Sequence, residues 1–220
     1  MGRIKHHLVL AGVFVLSAAT QAESLRLNLT DRLAEIPLEG AVIELIAKNP
    51  GQFPVSPLTT HIDQVNKEFV SYVTIVPVGS KIAFPNSDDI MHHVYSFSAV
   101  NAFDIPLYGA DENIDHFIEF NEPGLVEIGC NIHDWMLAYI YVAETDVAAI
   151  TDDQGAASLK DIAPGKYLLK IWHPRMPSSE PQLVELEIES NRDTELSIGL
   201  NLGRERRIRR TPSMARGSYR

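Results

Sequence analysis

Cysteine is almost missing from this 220-residue chain. Its single Cys130 excludes an internal disulfide framework and any four-cysteine zinc or iron–sulfur site within one chain. Positive charge is scarce: 19 Lys and Arg stand against 29 Asp and Glu, a formal −10. Phosphate contacts need a basic face, so this balance argues against nucleic-acid binding. Long hydrophobic runs are lacking too. The one apolar stretch, residues 8–16, is too short for a comfortable membrane span. Between residues 23 and 203 no sustained helical periodicity is found.

What is present suits a packed body: 45% apolar residues, 13 Gly and 13 Pro in a length fitting one large domain or two small ones. Arg3 and Lys5, the apolar run, and the small-x-small step Thr20-Gln21-Ala22 form a secretory signal pattern over residues 1–22. The expected location is therefore periplasmic or secreted, with no membrane span in the mature chain. Loss of residues 1–22 leaves 17 basic against 29 acidic residues, a charge of −12. The tail 203–220 carries seven Arg and one Glu and reads as a basic disordered arm on an acidic body; residues 23–203 hold 10 basic against 28 acidic side chains, or −18. Either the arm is a solvated terminus or it docks.

The body reads as short strands at 25–30, 41–46, 69–77, 81–85, 93–97, 116–120, 124–129, 137–142, 147–151, 165–173, 182–189 and 194–200. Turn signals such as Gly79-Ser80, Glu122-Pro123-Gly124, Asp152-Asp153-Gln154-Gly155 and Pro164-Gly165 separate them. Many short strands at this spacing predict an all-β fold of Greek-key or immunoglobulin-like sandwiches.

Chemistry concentrates in Gly129-Cys130-Asn131-Ile132-His133-Asp134-Trp135-Met136, where Cys, His and Met fall at i, i+3 and i+6. Upstream, Asn86-Ser87-Asp88-Asp89-Ile90-Met91-His92-His93 offers further imidazoles. A thiolate, two imidazoles and a weak thioether make the His₂Cys site with a distant axial Met that serves copper electron transfer. Soft sulfur suits the reduced ion, imidazole suits both oxidation states, and no open position is left for a substrate. Alternation along a strand sends His92 and His93 to opposite faces, so both cannot ligate from an undistorted strand. His92 is the preferred ligand and His93 the alternative.

At these residues the chain resembles the cupredoxin family, closest to its short-loop, amicyanin-like members. The family pattern of Asn-x-Asp/Glu-x-x-x-His and Cys-x-x-His-x-x-Met matches Asn86, Asp88, His92, Cys130, His133 and Met136. The wider combination resembles bacterial secreted proteins of the methylamine-utilization or plastocyanin-like type. The resemblance implies one type 1 copper ion held by His92, Cys130, His133 and Met136, with Asn86 and His93 bracing the ligand loops. His93 stands where the family usually has Asn. Residues 24–48 and 143–202 resemble a carboxypeptidase regulatory-like, transthyretin-like sandwich: Pro37-Leu38-Glu39-Gly40 and the Pro164-Gly165-Lys166-Tyr167 strand entry carry that likeness. A discontinuous sandwich is expected, with a cupredoxin domain at 55–142 between its halves.

Zinc held by Cys130, His133 and His92 leaves Met136 without a role. Cysteine nucleophile chemistry needs an activating base and an oxyanion hole, and a His three residues on in one tight loop is poorly placed for it. The expected protein is thus not an enzyme but a carrier of single electrons to a protein redox partner; the alternative is copper storage, delivery or detoxification. Trp135 and Tyr139 are candidates to pack around the metal loop, with core packing the preferred reading for both. His173 is expected to be a packing residue, His61 and His116 to be exposed, and Asp111, Glu112 and Asp115 to form an acidic face.

Overall fold

A computed structural model describes residues 23–49, 53–110 and 117–206. The expected signal segment, the acidic run at 111–115, His116 and most of the basic tail lie outside the described residues. The first strands are β1 (Glu23–Asp31), β2 (Ile36–Pro37) and β3 (Val42–Ala47). The middle holds β4 (Thr59–His61), β5 (Gln64–Val65), β6 (Glu68–Phe69), β7 (Val73–Pro77), β8 (Ser80–Ala83) and β9 (His92–Ser98). It continues with β10 (Asn101–Tyr108), β11 (Phe117–Phe120), β12 (Gly124–Cys130) and β13 (His133–Ala143). The last are β14 (Ala148–Ile150), β15 (Ala156–Ile162), β16 (Gly165–Trp172), β17 (Gln182–Ile188) and β18 (Thr194–Leu200). The protein is all-β.

Alternation decides which side of each strand is buried. In β1, Leu25, Leu27 and Leu29 point inward, and the strand lies between β15 (antiparallel) and β18 (parallel). Against this sheet stands a second, in the order β14-β3-β16-β17. Its Ile43, Leu45, Tyr167, Leu169 and Ile171 share one apolar core with the three leucines. Strands from both ends of the described chain therefore build one core. The turn at Asp152–Gly155 fixes the β1–β15 edge. Asp152 Oδ1 accepts from the amides of Gln154 and Ala156, and Gly155 has φ 71°. A Cβ at Gly155 would stand 2.3 Å from the Leu29 carbonyl oxygen, so only glycine fits.

The middle strands form a five-stranded sheet, β10-β9-β12-β13-β7, facing a three-stranded sheet, β11-β8-β4. Val94, Val126, Ile128, Ala138 and Ile140 from the first meet Ile82 and Phe120 from the second. The opposite side of β13 is also covered. Tyr139 and Tyr141 pack on Trp172 of β16, with ring centroids 5.3 and 6.4 Å apart, joining the two sandwiches. Tyr139 thus turns away from the Cys130 loop and packs in this junction core, in line with the preferred reading of core packing; Ala138 and Ile140 take the positions facing the other core. Beside it, buried Glu44 accepts from Tyr141 Oη at 2.9 Å and from the amides of Glu144 and Thr145. Burial pushes the Glu44 carboxyl above its ordinary value, with Lys170 and these hydrogen bonds opposing.

Several elements differ from the sequence reading. The expected strand 69–77 is two strands, broken at Ser71, whose φ is 77°. β10 was not expected because Pro106 interrupts it; it is an edge strand whose register shifts between Ile105 and Tyr108, which accommodates the proline. β15 lacks β-branched residues until Ile162 and is held by pairing with β1, a case of tertiary context overriding propensity. The first tail residues are not loose. Gly203 N donates to the Arg175 carbonyl at 2.6 Å, and Arg206 pairs with Glu127.

Candidate metal centre

Strand β12 ends at Cys130 and β13 starts at His133, so only Asn131 and Ile132 form the turn between them. Cys130 and His133 are direct cross-strand partners. Alternation along β12 puts Val126, Ile128 and Cys130 on the core side. The register then slips: Gly129 pairs with Leu137 while Cys130 pairs with His133. This bulge resets the alternation, so His133 and Met136, three residues apart, are both buried. Gly129 leaves room for Tyr95, whose ring would lie 3.1 Å from a Cβ there.

The third group comes from β9, where His92, Val94 and Ser96 are buried and His93 turns to the other face. His92 Nδ1 lies 3.7 Å from Cys130 Sγ, and His133 Nδ1 lies 3.5 Å from it. The three donor atoms all fall within 4.8 Å of one another. A metal bonded to thiolate sulfur at about 2.3 Å and to imidazole nitrogen at about 2.0 Å, with angles of about 110–120°, holds sulfur and nitrogen about 3.5–3.7 Å apart. Both sulfur–nitrogen distances fit a bound metal ion. His92 is fully buried, and Cys130 and His133 are 3% and 9% exposed. Met136 is buried on the same core as Cys130.

The tautomer of His92 is fixed from outside. Its Nε2 donates to Asp88 Oδ2 at 2.7 Å, which leaves the Nδ1 lone pair facing the sulfur. Asp88 is itself held by a hairpin that the sequence reading missed, β5–β6, whose turn residues Asn66 and Lys67 have φ of 55° and 61°. Their amides donate to Asp88 Oδ1 and Oδ2 at 2.5 and 2.8 Å. Burial raises the Asp88 carboxyl, but the Lys67 amide, His92 and the Asn66 amide outweigh it and leave the group below its ordinary value. The Lys67 carbonyl also accepts from Trp135 Nε1 at 3.1 Å, and the Trp135 ring lies 5.3 Å from that of His133. One hairpin therefore steadies both imidazoles. An Asn at the first of two turn positions between short apolar-containing runs was its sequence signal.

Two bracing roles need correction. Asn86 does not tie the first ligand loop to the Cys130 loop. Its Nδ2 donates to the carbonyls of Ile90 and Tyr108, and its Oδ1 accepts from the Asp88 amide, so it closes its own loop. His93 does not bridge the loops either. Its ring pairs with Asp104 across β9 and β10, because alternation points it to the outer face. His173 is buried, with Nε2 donating to the Glu39 carbonyl and Nδ1 accepting from the Arg175 amide. Burial pushes its pKa down to about 4. His61 is exposed. Among the described residues no other group of three His, Cys, Asp or Glu side chains is placed to hold a metal.

No protein-family model and no curated protein matches the chain. Solved structures do. A copper-containing nitrite reductase from Thermus scotoductus SA-01 is 25% identical over 44% of this chain and 25% of its own, at a TM-score of 0.36. The chain thus spans about a quarter of that enzyme's length. A purple cupredoxin from Nitrosopumilus maritimus is 18% identical over 38% of this chain and 98% of its own, at 0.33. Amicyanin from Paracoccus versutus is 16% identical over 48% of this chain and 99% of its own, at 0.34.

Proposed function

We propose that the chain is a mononuclear copper protein that carries single electrons between redox partners outside the cytoplasm. One observation carries this reading: a buried thiol and two imidazole nitrogens converge within 4.8 Å from the ends of three strands, β9, β12 and β13. Bound copper supplies a one-electron Cu(II)/Cu(I) couple there. Cys130 supplies the soft thiolate, and His92 and His133 present Nδ1 to the same point. Met136, buried on the same core, would add its thioether sulfur as a weak fourth donor.

The remaining residues keep these donors still. Asp88 holds His92 in one tautomer, Trp135 packs on His133, and pairing of β12 with both β9 and β13 pins the sulfur. A donor set that barely moves when the charge changes keeps the reorganisation small. Burial excludes water. The second sandwich, residues 24–48 with 143–202, is assigned as a module that orients the copper unit towards its partner, and the signal pattern over 1–22 supports a location in the periplasm or outside the cell.

Retention through redox cycling tests the function. Copper-loaded protein cycled with ascorbate and ferricyanide in the presence of a copper(I) chelator is expected to keep its metal. Loss of copper to the chelator on the first reduction would instead mark a storage or delivery protein. His92→Ala is expected to lose the oxidised spectrum and His93→Ala to keep it.

A further inference from the structure

The outer face of the β9–β12–β13 sheet carries a groove of about 680 Å³ directly behind Cys130. Tyr95, Phe97, Glu127, Asp134, Leu137 and Arg206 are among its lining residues. Phe97 is 87% exposed and lies tilted beside Tyr95 with ring centroids 5.0 Å apart. At one side Arg206 grips Glu127 through two hydrogen bonds, Nη1 to Oε2 at 2.9 Å and Nη2 to Oε1 at 3.1 Å. Arg206 is the last described residue. After it the sequence continues for residues 207–220 with Arg207, Arg209, Arg210, Arg216 and Arg220 and no acidic side chain.

We propose that this groove is the docking site of the chain's own arginine-rich segment, 207–220. Arg206 already enters it, which sets where the segment starts. Charge matches: five arginines face a surface bearing Glu127 and Asp134 on a body of 10 basic and 28 acidic residues. Arginine planes also suit the exposed Tyr95 and Phe97 rings. Four extended residues reach about 13 Å, and the segment has fourteen, 207–220. The docked arm covers the back of the strand that bears the thiol. This inference does not depend on copper.

Limited trypsin digestion of metal-free, full-length protein tests it, with cleavage after Arg209 and Arg210 followed by mass spectrometry. A synthetic peptide of residues 204–220 is the reference. Loss of the Glu127 pair and of ring contact together is expected to speed cleavage about tenfold. Glu127→Gln and Phe97→Ser should each account for part of that gain, and roughly 0.5 M salt should erase protection relative to the peptide. Phe97 is exposed, so Phe97→Ser remains informative if Glu127→Gln folds poorly. Cleavage at the same rate in wild type, both variants and the peptide would overturn the proposal. Protection that grows with protein concentration would also overturn it, assigning the groove to the arm of another copy.

Discussion

Asp88→Asn removes one charge and turns one acceptor oxygen into a donor, without changing side-chain volume. In the native protein the carboxylate accepts three hydrogen bonds, from the amides of Asn66 and Lys67 and from His92 Nε2. The Asn66 amide uses one oxygen while the Lys67 amide and His92 Nε2 share the other, so an asparagine there aims its NH₂ either at the Lys67 and His92 N–H groups or at the Asn66 N–H. Either choice sets donor against donor. Loss of one hydrogen bond to a charged group costs about 1.5–3 kcal/mol, so urea denaturation of the metal-free variant should show a stability loss of that size. The metal-binding consequence is separate. His92 is freed to adopt the other tautomer, and loss of such an outer partner lowers metal affinity about 10–100-fold. Chelator competition with copper(II) reads that number. Unchanged affinity together with unchanged stability would refute the reasoning, since both follow from one carboxylate.

Three further outcomes are expected. His173 is neutral in the fold because burial holds its pKa at about 4, against 6.5 for the free side chain; the unfolded chain takes up the proton first, so stability present above pH 6.5 falls as pH drops towards 4, by up to about 3 kcal/mol. His173→Gln should flatten that part of the pH–stability curve, and an unchanged curve counts against it. Gly155→Ala drives a methyl into the Leu29 carbonyl oxygen at positive φ and should cost about 2–4 kcal/mol in thermal or urea unfolding. Glu44→Leu strands two buried amides and the Tyr141 hydroxyl and should cost about 3–5 kcal/mol, whereas Glu44→Gln, which can still serve both, should cost about 1 kcal/mol.

The sequence was legible where local chemistry and period agree. Cys130, His133 and Met136 share one short stretch of sequence; strand period allows only one of His92 and His93 to ligate, and the six-residue spacing from Asn86 favours His92. What lay hidden depends on pairing between distant segments. No local signal assigns Asn66 and Lys67 to Asp88, because the contact joins backbone amides of one hairpin to a loop some twenty residues on. Asn86 was assigned outward across loops, yet an Asn ahead of Ser87 and Asp88 closes its own turn more cheaply, by accepting from the amide two residues later. Core packing was the preferred reading for Tyr139, but which core it joins was not legible, because the bulge at Gly129–Cys130 resets the alternation only before Leu137. Beyond that point strand period alone sends Tyr139 to the junction with Trp172. β10 and β15 were unread because a proline and a run of small residues weaken strand propensity where sheet neighbours supply what is missing.

Titration of the purified mature protein with copper(II), followed by visible absorption, bears most directly on the centre itself. Intense sulfur-to-copper charge-transfer absorption saturating at one ion per chain, and absent from Cys130→Ala, is the predicted result. A colourless adduct, or colour that survives in Cys130→Ala, would contradict a centre built on that thiolate.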